Sequence, residues 1–125
     1  MSEIKTDKLT GTSTAGSLDT SYVVNGSAKV WVNFNGTGTI ATRESFNVDS
    51  LTDNGTADYR VTFTASLSTS DFGATASNGE GSTHGSRIMT INEQASSSQT
   101  IMSYTTSGSS DDTTIVCLDV NGDLA

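Results

Sequence analysis

The sequence predicts an all-β protein: a small antiparallel β-sandwich of seven or eight short strands over residues 28–125, with an extended N-terminal arm over residues 1–27. Three observations lead there. Short runs rich in β-branched and aromatic residues alternate apolar with polar, the period of a half-buried strand. Turn formers punctuate these runs at spacings of roughly 10 residues, the rhythm of a sandwich or barrel. No stretch of useful length carries a 3.6-residue apolar period, and no repeat at solenoid spacing is present.

The arm is polar and weakly patterned, with Ile4 and Leu9 its only large apolar residues before Leu18. Such a segment buries little by itself and is expected to order against a partner. The body opens with "AKVWVNFNG", in which Val30, Val32 and Phe34 share one face and Trp31, Asn33 and Asn35 the other. Trp31 therefore lies on the wrong side for the domain's own core, which suits an interface or the underside of a loop. After "GTGT", Ile40 begins another short extended piece.

Residues 45–63, "SFNVDSLTDNGTADYRVTF", read as a hairpin. Phe46 and Val48 are expected on one face of the first arm, and Tyr59, Val61 and Phe63 on one face of the second. Asn54–Gly55 is the expected type I′ turn, because both central positions of that turn need positive φ. "DFGATAS" is a further short strand, "RIMTIN" and "TIMSYTT" are two more, and "TTIVCLDV" is the last. Polar loops are expected at 78–86 and 107–112, where Asn78, Glu80, His84, Asp111 and Asp112 are candidate recognition residues. Cys117, the single cysteine, excludes an internal disulfide and is expected as a small buried hydrophobe.

Composition qualifies this picture. Only 33% of residues are apolar and 6% aromatic, against about 45–50% apolar in ordinary domains on a count that includes Gly. Ser and Thr number 20 and 21, so 41 of 125 residues carry a small hydroxyl. Either the chain is partly disordered, or it is a β protein with a polar second face whose remaining apolar surface is buried between subunits. Absent proline, only 16% charged residues and the ordered alternation favour the second. The expectation is a core too thin to be complete without sister chains, with Trp31, Asn33, Ile4 and Leu9 as candidate interface residues.

The formal charge is −8 and no Lys/Arg cluster exists, which argues against nucleic-acid binding by phosphate neutralisation. No run approaches the ~20 apolar residues of a bilayer span, and the first residues lack a stretch of signal-peptide length. The expected setting is a cytosol, or a particle assembled in one.

Little points to catalysis or to a cofactor. His84 lies in "EGSTHGS", a glycine-rich loop that does not preorganise a nucleophile or an orienting acid. One Cys and one His do not make a zinc site within one chain. "DVNGD" at 119–123 has its glycine misplaced for a calcium loop and lacks the later bidentate Glu. No phosphate-cradle motif is present.

Taken together, "MSEIKTDKLTGTSTAG", "WVNFNGTGT", "SFNV", "DNGTADYRVTF" and the terminal "GDLA" resemble short virion proteins of marine tailed bacteriophages. The part from Ala28 to Thr64 also resembles C-terminal domains of phage tail-fibre proteins. The resemblance implies a non-enzymatic virion component of tail-fibre type, a homotrimer, with no catalytic residues to carry over and no cofactor. The expected partners are its own copies, other virion proteins through the arm, and a host cell-surface glycan or protein, with no membrane insertion. Relatives carry a longer segment between the "EIK" head and the "WVNF" body. A compact knob, a head decoration or a tail adaptor therefore stays open beside a fibre. A small carbohydrate-binding sandwich or hydrolase outside any virion is the third class.

Overall fold

A computed structural model describes residues 2–10, 16–81 and 87–125. Ten β-strands and one short helix are assigned among them. Strands β1 (Lys8–Thr10) and β2 (Ser17–Asp19) pair antiparallel in the arm, and α1 (Thr20–Gly26) follows directly. The expected extended arm is thus partly folded. Helix α1 runs through "TSYVVNG", seven residues in which none is buried.

The body holds eight strands: β3 (Ala28–Asn35), β4 (Ala41–Phe46), β5 (Val48–Gly55), β6 (Asp58–Phe63), β7 (Gly73–Gly79), β8 (Arg87–Ala95), β9 (Ser98–Thr105) and β10 (Ile115–Asn121). They form two four-stranded antiparallel sheets, ordered β4-β3-β10-β7 and β5-β6-β9-β8. The first sheet contributes Val30, Val32, Phe34, Val116, Leu118 and Val120 to a single buried cluster. The second contributes Tyr59, Val61, Phe63 and Ile101 to the same cluster. Phe34 meets Tyr59 edge to face at 5.3 Å between centroids. Such ring pairs add to the burial itself. Leu67 and Phe72 close the cluster from the connection between β6 and β7.

This enclosure corrects one expectation. The chain's own side chains complete the core, and sister copies are not needed to close it. The sparse apolar residues suffice because the alternation in β3, β6 and β10 sends three from each strand inward: Val30, Val32 and Phe34; Tyr59, Val61 and Phe63; Val116, Leu118 and Val120. Most described Ser and Thr residues lie outside this cluster, though Thr100, Ser103 and Thr113 are buried; on the second sheet, Arg60 reaches Thr100 and Glu93.

A second correction concerns Phe46. Phe46 and Val48 do not share a face. Phe46 ends β4 in the first sheet and is 55% exposed, whereas Val48 begins β5 in the second and packs against the core. The single residue between them, Asn47, takes φ 56° and carries the chain from one sheet to the other. Its amide donates to the carbonyls of Lys29 (3.1 Å) and Ala65 (3.0 Å), and its Oδ1 accepts from the Ala65 N–H (2.7 Å). Asn tolerates the left-handed region better than other residues with a Cβ.

The β5–β6 hairpin forms, but its turn is displaced. Thr56 and Ala57 make the turn, with Gly55 at φ 146° and Ala57 at φ 64°. Asn54 stays in β5, where a bulge shifts the register between Asp53 and Gly55. The cause is tertiary. The Ala57 N–H donates to Asp112 Oδ1 (2.6 Å) and the Ala57 carbonyl accepts from the Ser103 N–H (2.9 Å). These bonds fix Ala57, itself fully buried, in a conformation that local preference disfavours.

Asp112 also faces the Tyr59 hydroxyl (3.0 Å), which lies 2.8 Å from the Gly36 carbonyl oxygen. Burial, and next the Asp112 carboxylate, push the Tyr59 phenol far above its ordinary value. It therefore remains a neutral donor whose proton is shared between the two acceptors. Gly36, Ala57, Tyr59 and Asp112 tie the β3–β4 turn, the hairpin and the segment before β10 into one knot.

Candidate functional site

Two surfaces stand apart from the closed body. The first is the outer face of the β4-β3-β10-β7 sheet. Register places Phe46, Trp31, Asp119 and Thr75 in one row across the four strands, and Glu44, Asn33, Cys117 and Ser77 in the next. Residues directly opposite each other in a ladder share a face and touch. Trp31 is 37% exposed and flanks a shallow hollow of about 270 Å³ lined by Asn33, Thr75, Ser77, Cys117 and Asp119.

The polar groups of this face are partly committed. Asn33 donates to Cys117 Sγ (3.3 Å) and accepts from Arg43 Nη1 (3.1 Å). Arg43 is the extra residue of a β-bulge between Asn33 and Phe34, and its guanidinium also reaches the carbonyls of Phe34 and Thr114. Such bulges re-aim a side chain; here the cation is turned back onto its own sheet. Asp119 and Glu44 leave the face acidic. Cys117 is half-buried on this outer face, not in the core as expected. Its neighbours Val116 and Leu118 take the inward positions.

The second surface is the arm. Leu9 and Leu18 are cross-strand partners, so both side chains project from the same face of the β1–β2 pair. They are 49% and 43% exposed, and Ile4, Tyr22, Val23 and Val24 are exposed as well. No described residue of the arm is buried. A two-stranded ribbon of three-residue strands and a seven-residue helix are each below the size that holds itself in water. Ile4 and Leu9 are not brought to Trp31 and Asn33 within the chain.

Several of the predicted recognition residues make contacts within the domain, whereas residues 107–110 of the second loop are exposed. Asn78 belongs to β7, and its amide donates to Ser103 Oγ (2.8 Å), linking the two sheets. Asp112 belongs to the knot around Tyr59. Glu80 lies 3.5 Å from Arg87 Nη2, which also pairs with the carboxylate of Asp111. His84 lies outside the described residues. Among the described residues, no group of three or more His, Cys, Asp or Glu could hold a metal ion, and no helix is long and apolar enough to cross a membrane.

The sequence reading missed Phe46, Arg43, Asp119, Thr75 and Ser77 as members of the Trp31 face. Alternation in "TTIVCLDV" already placed Cys117 and Asp119 on the outside once Val116, Leu118 and Val120 were taken as inward. Comparison with family models, curated proteins and solved structures finds no match for this chain.

Proposed function

We propose that this chain is a non-enzymatic structural component of a tailed-bacteriophage virion, of tail-fibre type, contributing to host attachment. The observation that carries the reading is the contrast between a body that closes its own core and an arm none of whose described residues is buried. An arm with exposed Ile4, Leu9, Leu18 and Tyr22 acts as an assembly segment, docking on copies of the chain or on neighbouring virion proteins. The body is then displayed. Homotrimeric display of a weak surface contact, repeated around a particle, gives avidity without a deep pocket. The contacted group is a host cell-surface glycan or protein.

One observation favours the second reading, a head decoration or tail adaptor with a purely structural role. Asn78 and Asp112, from the two loops expected to meet a receptor, spend their hydrogen bonds inside the domain.

Adsorption separates the two. Labelled free protein is incubated with host cells and, separately, with virions. The attachment reading expects retention on cells and competition with the virus for adsorption. Retention on particles alone, with no effect on virus adsorption, would establish the structural role instead. Release of sugar or peptide from host envelopes would contradict both.

A further inference from the structure

We propose that Asn54 is a self-modification site: the backbone nitrogen of Gly55 attacks its side-chain amide, Asp53 takes the proton, and the residue converts to isoaspartate or aspartate.

The reaction needs an asparagine whose following backbone nitrogen is unhindered and can swing toward Cγ. Glycine in that place gives the least hindrance. The chain holds five Asn–Gly pairs, beginning at Asn25, Asn35, Asn54, Asn78 and Asn121. The first ends helix α1 in the arm. The fold of the body sorts the other four, and three of them are held. Asn35 donates to the Thr37 carbonyl (2.7 Å) and accepts from Thr37 Oγ1 (2.9 Å), while the N–H of the buried Gly36 is bound to the Thr113 carbonyl. Asn78 donates to Ser103 Oγ and is paired with Val116 across the β7–β10 ladder. Asn121 is paired on both sides, with Ala28 and Gly73, and a Cβ on Gly122 would lie 3.1 Å from Phe72 Cβ. Each of the three reaches the reactive geometry only when its surroundings open locally.

Asn54 stands apart. It lies near the tip of the hairpin on β5, an edge strand of its sheet, and both it and Gly55 are exposed. It is the extra residue of the β-bulge, with no partner across the ladder. Beyond the chain neighbours of Gly55, no described atom lies within 4 Å of where its Cβ would be. The Gly55 N–H donates to Asp53 Oδ1 (3.0 Å), so a carboxylate already faces the proton that the nitrogen must lose. The Asn54 amide donates to Asp58 Oδ1 at 3.2 Å, a contact open to water.

Water is the only co-reactant. The bond from Gly55 N to Asn54 Cγ forms as the N–H proton passes to Asp53. The Cγ–Nδ2 bond then breaks, and ammonia leaves carrying that proton. Water opens the cyclic imide at either carbonyl and leaves a new carboxylate. Overall, one amide and one water become one carboxylate and one ammonium ion. The formal charge moves from −8 to −9. Asp58 exchanges an amide donor for a like charge, in a tip that already holds Asp53, and the turn loosens.

The full chain is aged in mildly alkaline heavy-oxygen water below its unfolding temperature, then mapped by peptide mass spectrometry. Conversion during ageing takes up heavy oxygen, which separates it from conversion during digestion. Asn54 is expected to convert at least about tenfold faster than Asn35, Asn78 or Asn121. In urea the four rates should draw together. Equal rates in the folded chain overturn the proposal. So does a ranking that survives unfolding, since sequence and not the fold would then set it. Asp53→Ala should slow conversion at Asn54 by at least about tenfold. Asp58→Ala loosens the same tip but leaves the Gly55 contact, and should not slow it. If both variants slow conversion alike, or Asp53→Ala converts as the wild type does, Asp53 is not the proton acceptor and that part of the proposal falls.

Discussion

Replacing Asp112 with alanine is expected to destabilise the fold by roughly 3 kcal/mol, because hydrogen bonds to a charged group contribute about 1.5–3 kcal/mol each. One carboxylate oxygen accepts the Ala57 N–H at 2.6 Å and faces the Tyr59 hydroxyl at 3.0 Å. Ala57 and Tyr59 are both fully buried, so each donor would lose a partner that water does not replace. The Ala57 N–H suffers most. Its residue is held at φ 64°, and release of that bond frees the turn to relax toward the Asn54–Gly55 geometry that local preference favours. Asp112→Asn keeps a carbonyl oxygen as acceptor and should recover about half of the loss. Urea denaturation with an unchanged slope is the appropriate readout. If Asp112→Ala were as stable as the wild type yet adsorbed poorly to cells, Asp112 would be the surface recognition residue that its position in "SGSSDD" suggests.

Gly36→Ala should cost as much or more, about 3 kcal/mol, through crowding alone. A Cβ at position 36 would lie 2.6 Å from Tyr59 Oη, 2.9 Å from its Cζ and 2.8 Å from the Thr113 carbonyl oxygen. The Gly36 N–H already donates to that carbonyl at 3.0 Å, so backing away breaks the bond. Overpacking of this kind typically costs 1–3 kcal/mol and sometimes more. Tyr59→Phe in the same chain removes the closest atom but leaves the ring carbon and the Thr113 oxygen in place. It should therefore relieve only part of the strain. A double-mutant cycle between positions 36 and 59 should show coupling above 0.5 kcal/mol, the range found for residues in contact. An additive pair would mean that the knot yields elsewhere.

What the sequence revealed and what it hid follow one physical division. Strand β3 was legible to the residue because "AKVWVNFN" alternates without interruption, and the same holds for the inward side of β6; β10 was legible as a strand, but Cys117 was expected on its buried side and lies on the outer one. Features set by contacts between distant segments were not. The crossing at Asn47 looks locally like one more strand residue. The displaced hairpin turn depends on Asp112, more than fifty residues away. Thin composition was misread as an incomplete core, since a count of apolar residues says nothing about how many of them point inward. The exposed Trp31 followed from alternation alone, whereas Phe46 beside it was hidden by the unseen sheet crossing. The short helix Thr20–Gly26 carries no capping bond from Asp19 and no buried face, so no periodicity announced it.

The central claim is that residues 28–125 are self-sufficient and the arm is not. Hydrogen exchange of the full chain, followed by mass spectrometry at assembling and at dilute concentrations, tests it most directly. Amides of the four-stranded sheets should resist exchange equally in both conditions, while those of residues 8–10 and 17–26 should gain protection only on assembly. Protection of the arm in the dilute monomer, or sheets that become protected only when copies associate, would contradict the account.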